Sequence, residues 1–280
     1  MKHFFRKTLI LMLTIIFIVS TGIVIYQLAD QRQAQEIYSE AETLVNLPDL
    51  TSIDTVASET IREAVPGVPS AEEPLTTEPM YVDPYADELS RMDFSALREI
   101  NSDVFGWILI PNTKVSYPLV QGTDNDYYLA HTWRQTKSDV GSIFMEQHCS
   151  KDLSDFNTII YGHRMKNGTM FGSLKNYSNS TYLKQHPVIY ITDENGVHAY
   201  EIFSVYEANV SDLTYRIGSF SDAEKREYIN WCLAQSIVDC GVIPTVSDRI
   251  ITLSTCTGRG YETRWVVQGV MRTVHSAEIP

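Results

Sequence analysis

Residues 8–28, TLILMLTIIFIVSTGIVIYQL, form a run of 21 residues without a charge. In hydrocarbon every backbone N–H and C=O must be satisfied within the segment, so the run has one folded form there, a helix. At about 1.5 Å per residue it reaches roughly 30 Å, the thickness of a bilayer core. Lys2, Arg6 and Lys7 precede it, and Asp30, Glu36, Glu40 and Glu42 follow. The excess of positive charge before the span puts residues 1–7 in the cytoplasm and the rest outside, so the chain is expected at the cell membrane as a single-pass protein. A cleaved signal peptide is the rival reading, with Ser20 and Gly22 as its small residues. Against it, the apolar run continues through Ile23, Val24, Ile25 and Tyr26, beyond a signal core.

The net charge of -13 is unevenly placed: residues 30–90 hold 14 Asp and Glu against two Arg, and the remainder is only mildly acidic. Residues 27–44 are expected to extend the helix. Pro48, Pro66, Pro69, Pro74, Pro79 and Pro84 then interrupt a Ser-, Thr- and Glu-rich stretch that cannot bury enough apolar surface to fold. Residues 29–86 are therefore read as an extracellular tether and residues 87–280 as the folded domain. The absence of a basic patch argues against nucleic acid.

Leu89, Met92, Ala96 and Ile100 recur at helical spacing, predicting an amphipathic helix that packs on the domain. Strand-like segments follow at 105–110, 115–120, 142–146, 157–161, 188–192 and 197–206, with a further pair around Cys256. Pro, Gly, Asn and Asp signals punctuate them, the rhythm of a closed antiparallel barrel. Short helices are predicted over 124–130 and 170–177. The longest helix of the domain follows Ser221, where SDAE makes a capping box ahead of Ile229, Cys232, Leu233 and Ile237. As an insertion between strands it is expected either to wall a substrate groove or only to plug the barrel.

Residues 249–271, RIITLSTCTGRGYETRWVVQGVM, read as strand, polar turn and strand. Cys256 falls where the first strand ends, beside glycines and an arginine, an open and electropositive setting that favours thiolate. Arg264 opens the return strand and could hold an oxyanion, with Arg259 in the turn as the alternative. His163 ends another buried strand, NTIIYGH, and suits proton exchange near neutral pH. His131, His148, His186 and His198 compete with it, but none closes a strand before such a flexible loop. Cys149, Cys232 and Cys240 are read as packed thiols, with a Cys232–Cys240 bridge left open. No HExxH, CxxC, paired-carboxylate or phosphate-loop motif occurs, so no metal or cofactor is expected.

The TLSTC run ending at Cys256, the run YGHRMKNGTMFGSLKNY from Tyr161, and Arg264 together resemble a sortase, the thiol transpeptidases of Gram-positive bacterial surfaces. The resemblance covers residues 87–271. The helix before the first strand, the YGH-x-M-x-x-G-x-M-F pattern and the helical insertion make the chain similar to the class B members. The resemblance implies an eight-stranded β-barrel in which Cys256 attacks, His163 exchanges protons and Arg264 steadies the oxyanion, with Leu253, Ser254 and Thr255 contacting substrate. It also implies partners: secreted proteins bearing a C-terminal sorting signal, cleaved after Thr to give a thioester, and an amine of a cell-wall precursor or peptidoglycan as acceptor. The short, Gly-rich turn and the lack of an acidic residue straight after the cysteine depart from the pattern. A fainter resemblance, of the DPY triplet at residues 83–85 to the lid of pilus-assembling sortases, lies in the Pro-rich tether and is not expected to form a lid. A hydrolytic cysteine peptidase, a pilus-polymerising enzyme and a tethered non-catalytic domain are the alternatives.

Overall fold

Segments rich in Val, Ile, Tyr and Phe become strands in the computed structural model, which describes residues 2–50 and 83–276. Among these residues eight strands close a barrel: β1 (Val104–Leu109), β2 (Ser116–Val120), β3 (Ile143–Met145), β4 (Asn157–Tyr161), β5 (Val188–Asp193), β6 (Gly196–Asn209), β7 (Ile250–Cys256) and β8 (Thr263–Ser276), in the order β1-β2-β3-β4-β7-β8-β6-β5. The barrel is mixed rather than antiparallel throughout, because β2 pairs parallel to β3 and β4 parallel to β7. A parallel ladder needs a long crossover, and residues 162–249 supply one that carries β5 and β6 with it. Turn signals read one at a time cannot show that excursion.

Side chains alternate along β7 and β8. Ile251, Leu253, Trp265 and Val267 point into the barrel and join its apolar core, while Ile250 and Val270 face outward. Helix α5 (Asp222–Gln235) covers that outer face: Ser221 caps it through a capping box with Glu224, and Tyr228, Ile229 and Cys232 bury against Phe203, Ile250 and Val270. Of its two expected roles the helix takes the packing one, and Ile237, past its C-terminal end, borders the groove near Cys256. The helix lies on the barrel side, Leu233 is only half-buried, and Ile237 falls beyond the helix end and is exposed.

The N-terminal helix α1 (Lys2–Leu44) is continuous, and from Phe4 to Leu28 its large apolar side chains are exposed. Beyond them Ala34, Tyr38, Ala41 and Val45 recur at helical spacing and bury against the barrel. The stretch read as the start of the tether is thus docked helix up to Leu44, and residues 51–82 of that tether lie outside the described residues. The amphipathic helix expected from Asp87 is two pieces, α2 (Pro84–Leu89) and α3 (Ser95–Ile100). Asp93 takes the Ser95 N–H at 2.9 Å, a local bond that starts a new helix instead of continuing the old one. Phe94 and Leu97 bury there, while Ile100 is exposed. Asp83 of the DPY triplet caps α2 and accepts from Tyr190. The helices expected over 124–130 and 170–177 shrink to 3-10 turns at Tyr127–Leu129 and Leu174–Ser178, the latter followed by α4 (Ser180–Gln185).

Candidate active site

Three neighbouring strands end at one rim of the barrel. Cys256 is the last residue of β7, and Arg264 faces it directly across the antiparallel ladder to β8. On the other side Tyr161 of β4 is level with Ser254, and the Gly162 N–H donates to the Ser254 carbonyl at 3.2 Å. His163 follows two residues past Tyr161, where the chain leaves the ladder at the end of β4 next to the end of β7. Residues at equal register share a face, so Tyr161, Ser254, Cys256 and Arg264 lie on the outer face of the sheet.

The thiol is exposed, whereas His163 and Arg264 are half-buried. His163 Nε2 lies 2.7 Å from the Leu129 carbonyl, which can only accept. The neutral ring therefore carries its proton on Nε2, leaving Nδ1 as the nitrogen that can exchange one. Among the described residues no hydrogen bond joins the imidazole to the Cys256 sulfur. Arg264 donates through Nη1 to the carbonyls of Tyr261 and Thr263, at 2.6 and 3.1 Å, which fixes its head at the end of the turn. The turn itself needs glycine at Gly258, where φ is +78° and a Cβ would stand 2.7 Å from Arg164 Nη1.

A groove of about 900 Å³ opens beside Cys256, lined by Arg164, Lys175, Tyr182, Glu207, Arg259 and Trp265 among others. Cys256 belongs both to this groove and to the outer face that carries Arg264. Tyr215, in the β6–β7 connection, bonds Ser254 Oγ at 2.9 Å. Burial raises its phenol to about 12, the Ser254 bond and the nearby Arg264 charge pulling the other way and Cys256 adding to the rise.

Comparison with known proteins places the fold in a family. The sortase domain family matches residues 108–272. The sortase B of Listeria monocytogenes is 39% identical over 188 residues, covering 65% of this chain and 75% of that protein. The chain belongs to the class B sortases. Its structure superposes on sortase B of B. anthracis with a TM-score of 0.66 at 27% identity, over 87% of this chain and 98% of that one. A sortase B solved in complex with triglycine gives 0.62 at 31%, over 65% and 86%. The protein is a sortase-type cysteine transpeptidase on a closed, mixed eight-stranded barrel.

In this sortase the sequence candidates fall into two groups. Cys256, His163 and Arg264 sit at the ends of adjoining strands. Leu253, Ser254 and Thr255, expected to touch substrate, are instead buried in the wall: Leu253 in the core, Ser254 bonded to Tyr215, and Thr255 on the inward side opposite Trp265. The competing histidines are engaged elsewhere: His131 stacks on Tyr127, His148 pairs with Glu146, His186 bonds the Pro111 carbonyl, and His198 is buried against Asp193. Arg259 pairs with Glu207. All four cysteines are free, so the Cys232–Cys240 bridge is absent. Sequence reading missed Tyr215 and Arg164; a tyrosine in a connecting loop and an arginine after the histidine carry no periodic signal.

Proposed function

We propose that this sortase is held at the cell surface by residues 8–28, N-terminus inside, and transfers secreted proteins to the cell wall. The Cys256 sulfur attacks the carbonyl of the Thr in a C-terminal sorting signal, while Nδ1 of His163 takes the thiol proton. Arg264 donates to the oxyanion of the tetrahedral intermediate. Collapse of that intermediate breaks the peptide bond, the proton passes from His163 to the leaving amine, and the acyl group remains as a thioester on Cys256. An amine of peptidoglycan or its precursor then attacks the thioester, gives a proton to His163 and frees the thiol. The observation that carries this reading is the register that sets Arg264 opposite Cys256 with His163 one strand away. The exposed apolar half of α1 supports the anchor, and the triglycine bound by a similar sortase B supports an amine acceptor.

The test is mass spectrometry of the full chain incubated with a library of Thr-containing sorting-signal peptides, with and without triglycine. The expected result is an acyl adduct on Cys256, absent from Cys256→Ala, and an acyl-triglycine product. Hydrolysis alone in the presence of triglycine would establish the peptidase reading instead, and an adduct on Cys256→Ala would refute a thioester.

A further inference from the structure

The β2–β3 connection, residues 121–142, has one short 3-10 turn of its own, yet it forms the surroundings of His163 on two sides. On one side the Leu129 carbonyl accepts from Nε2 at 2.7 Å. On the other is Gly141, with φ of +62°, where a Cβ would stand 2.8 Å from His163 Cδ2 and equally close to the carbonyls of Leu129 and Tyr128. No side chain fits between the ring and the backbone at residue 141, so a shift of this loop bears on the imidazole.

The docked end of α1 holds this loop together with Asn101, which donates to the Trp133 carbonyl at 2.6 Å. Buried Tyr38 donates its hydroxyl to the Gly141 carbonyl at 2.5 Å, and its ring meets Tyr117 edge-on. Trp133 Nε1 donates to the Ile37 carbonyl at 3.1 Å, the Asp139 N–H to Asp30 at 3.1 Å, and Arg134 pairs with Glu40. Of the four contacts from α1, the Tyr38 bond is the one that ends on the residue packed against the histidine.

We propose that Tyr38 is a positioning residue for His163, acting through Gly141, so that the helix leaving the membrane is part of the active-site scaffold. Without the hydroxyl the buried Gly141 carbonyl loses the donor that pins the loop, and the loop relaxes around the ring. This inference rests on the reading that His163 exchanges a proton with Cys256.

The experiment follows iodoacetamide alkylation of Cys256 in the full chain, in detergent, across pH 5 to 10, for wild type and for His163→Ala, Tyr38→Phe and Arg134→Ala. Thermal unfolding is recorded for each. His163→Ala is expected to move the profile, and Tyr38→Phe to move it the same way, with alkylation at pH 7 slowed about threefold, the loss of one buried hydrogen bond. Arg134→Ala, which breaks another contact between helix and loop, is expected to leave the profile in place. If His163→Ala moves nothing, the Cys–His reading itself fails. If His163→Ala moves the profile and Tyr38→Phe does not, or if Arg134→Ala moves it as far as Tyr38→Phe does, the Tyr38 proposal is overturned, whatever happens to thermal stability.

Discussion

The outer face of β4, β7 and β8 carries polar side chains at both its foot and its mouth, and the two ends are built oppositely. At the foot Thr252 donates to Asn157 at 2.7 Å, and Gln268 donates to Thr252 and Tyr228 at 3.0 and 2.9 Å. Tyr206 completes the network by donating to Gln268 at 3.2 Å, and all of these groups are buried. At the mouth Cys256 is exposed, and His163 and Arg264 are held by main-chain carbonyls, leaving Nδ1 of the histidine as an open acceptor and the guanidinium with further N–H groups. A slip of one residue would turn Ile251 onto the polar foot, so the closed network locks the register that places Cys256 opposite Arg264. One end spends its polarity on structure and the other keeps it available.

The sharpest way to break this contrast is at the mouth. Arg264→Ala is expected to slow thioester formation by about 10²–10³-fold, the usual cost of losing an oxyanion donor, with the unfolding temperature nearly unchanged. Single-turnover acylation beside a thermal melt measures both. A comparable loss of stability would place Arg264 with the foot.

The foot should behave in reverse. Thr252→Val keeps the shape but leaves Asn157 Oδ1 without its donor, at a cost of about 1–3 kcal/mol in denaturant unfolding. Acylation per folded molecule is expected to stay within about threefold, since no reacting group is touched. A hundredfold loss of rate in a well-folded Thr252→Val chain would mean the two ends are not separable.

The thiols sharpen the comparison by pH. Burial raises Cys232 to about 12 and both Cys149 and Cys240 to about 11. A raised value means the folded state prefers the neutral thiol. That stabilisation is fully present below the ordinary thiol value of about 8.5 and is lost as pH climbs through it towards 11 to 12. Tyr117 and Tyr215, raised to about 12 by burial, act in the same direction. The urea midpoint should therefore hold to about pH 8 and fall between about pH 9 and 11, while at about pH 7.5 a maleimide labels Cys256 alone until the chain unfolds.

The strand set, the capping box at Ser221 and the three residues of the rim were legible because each leaves a local mark: period-two apolar runs, SDAE, and a polar residue where a run stops. The parallel pairings and the docking of α1 were not, because both depend on partners far along the chain, as Tyr38 with Gly141 and Tyr161 with Ser254 show. The burial of Ser254 and Thr255 was not legible either. Thr255 alternates onto the inward face opposite Trp265, whereas Ser254 shares the outer face with Cys256 but is covered by Tyr215, a partner 39 residues away that no local pattern reveals.

The smallest expected effect concerns the other arginine of the turn. Arg259 lies between Gly258 and Gly260, whose φ values of +78° and +132° mark backbone that glycine's freedom permits, and its guanidinium is exposed and paired with Glu207 on β6. Such a surface pair contributes roughly 0–1 kcal/mol, and a loop head held by a solvent-screened partner is poorly preorganised for an oxyanion. Arg259→Gln should thus shift the melt by no more than about 2 °C and slow acylation by at most about threefold. The ratio of the two arginine variants is the useful quantity: a large effect at Arg264 with a small one at Arg259 ties the oxyanion role to the ladder partner of Cys256, and the reverse would move it into the turn.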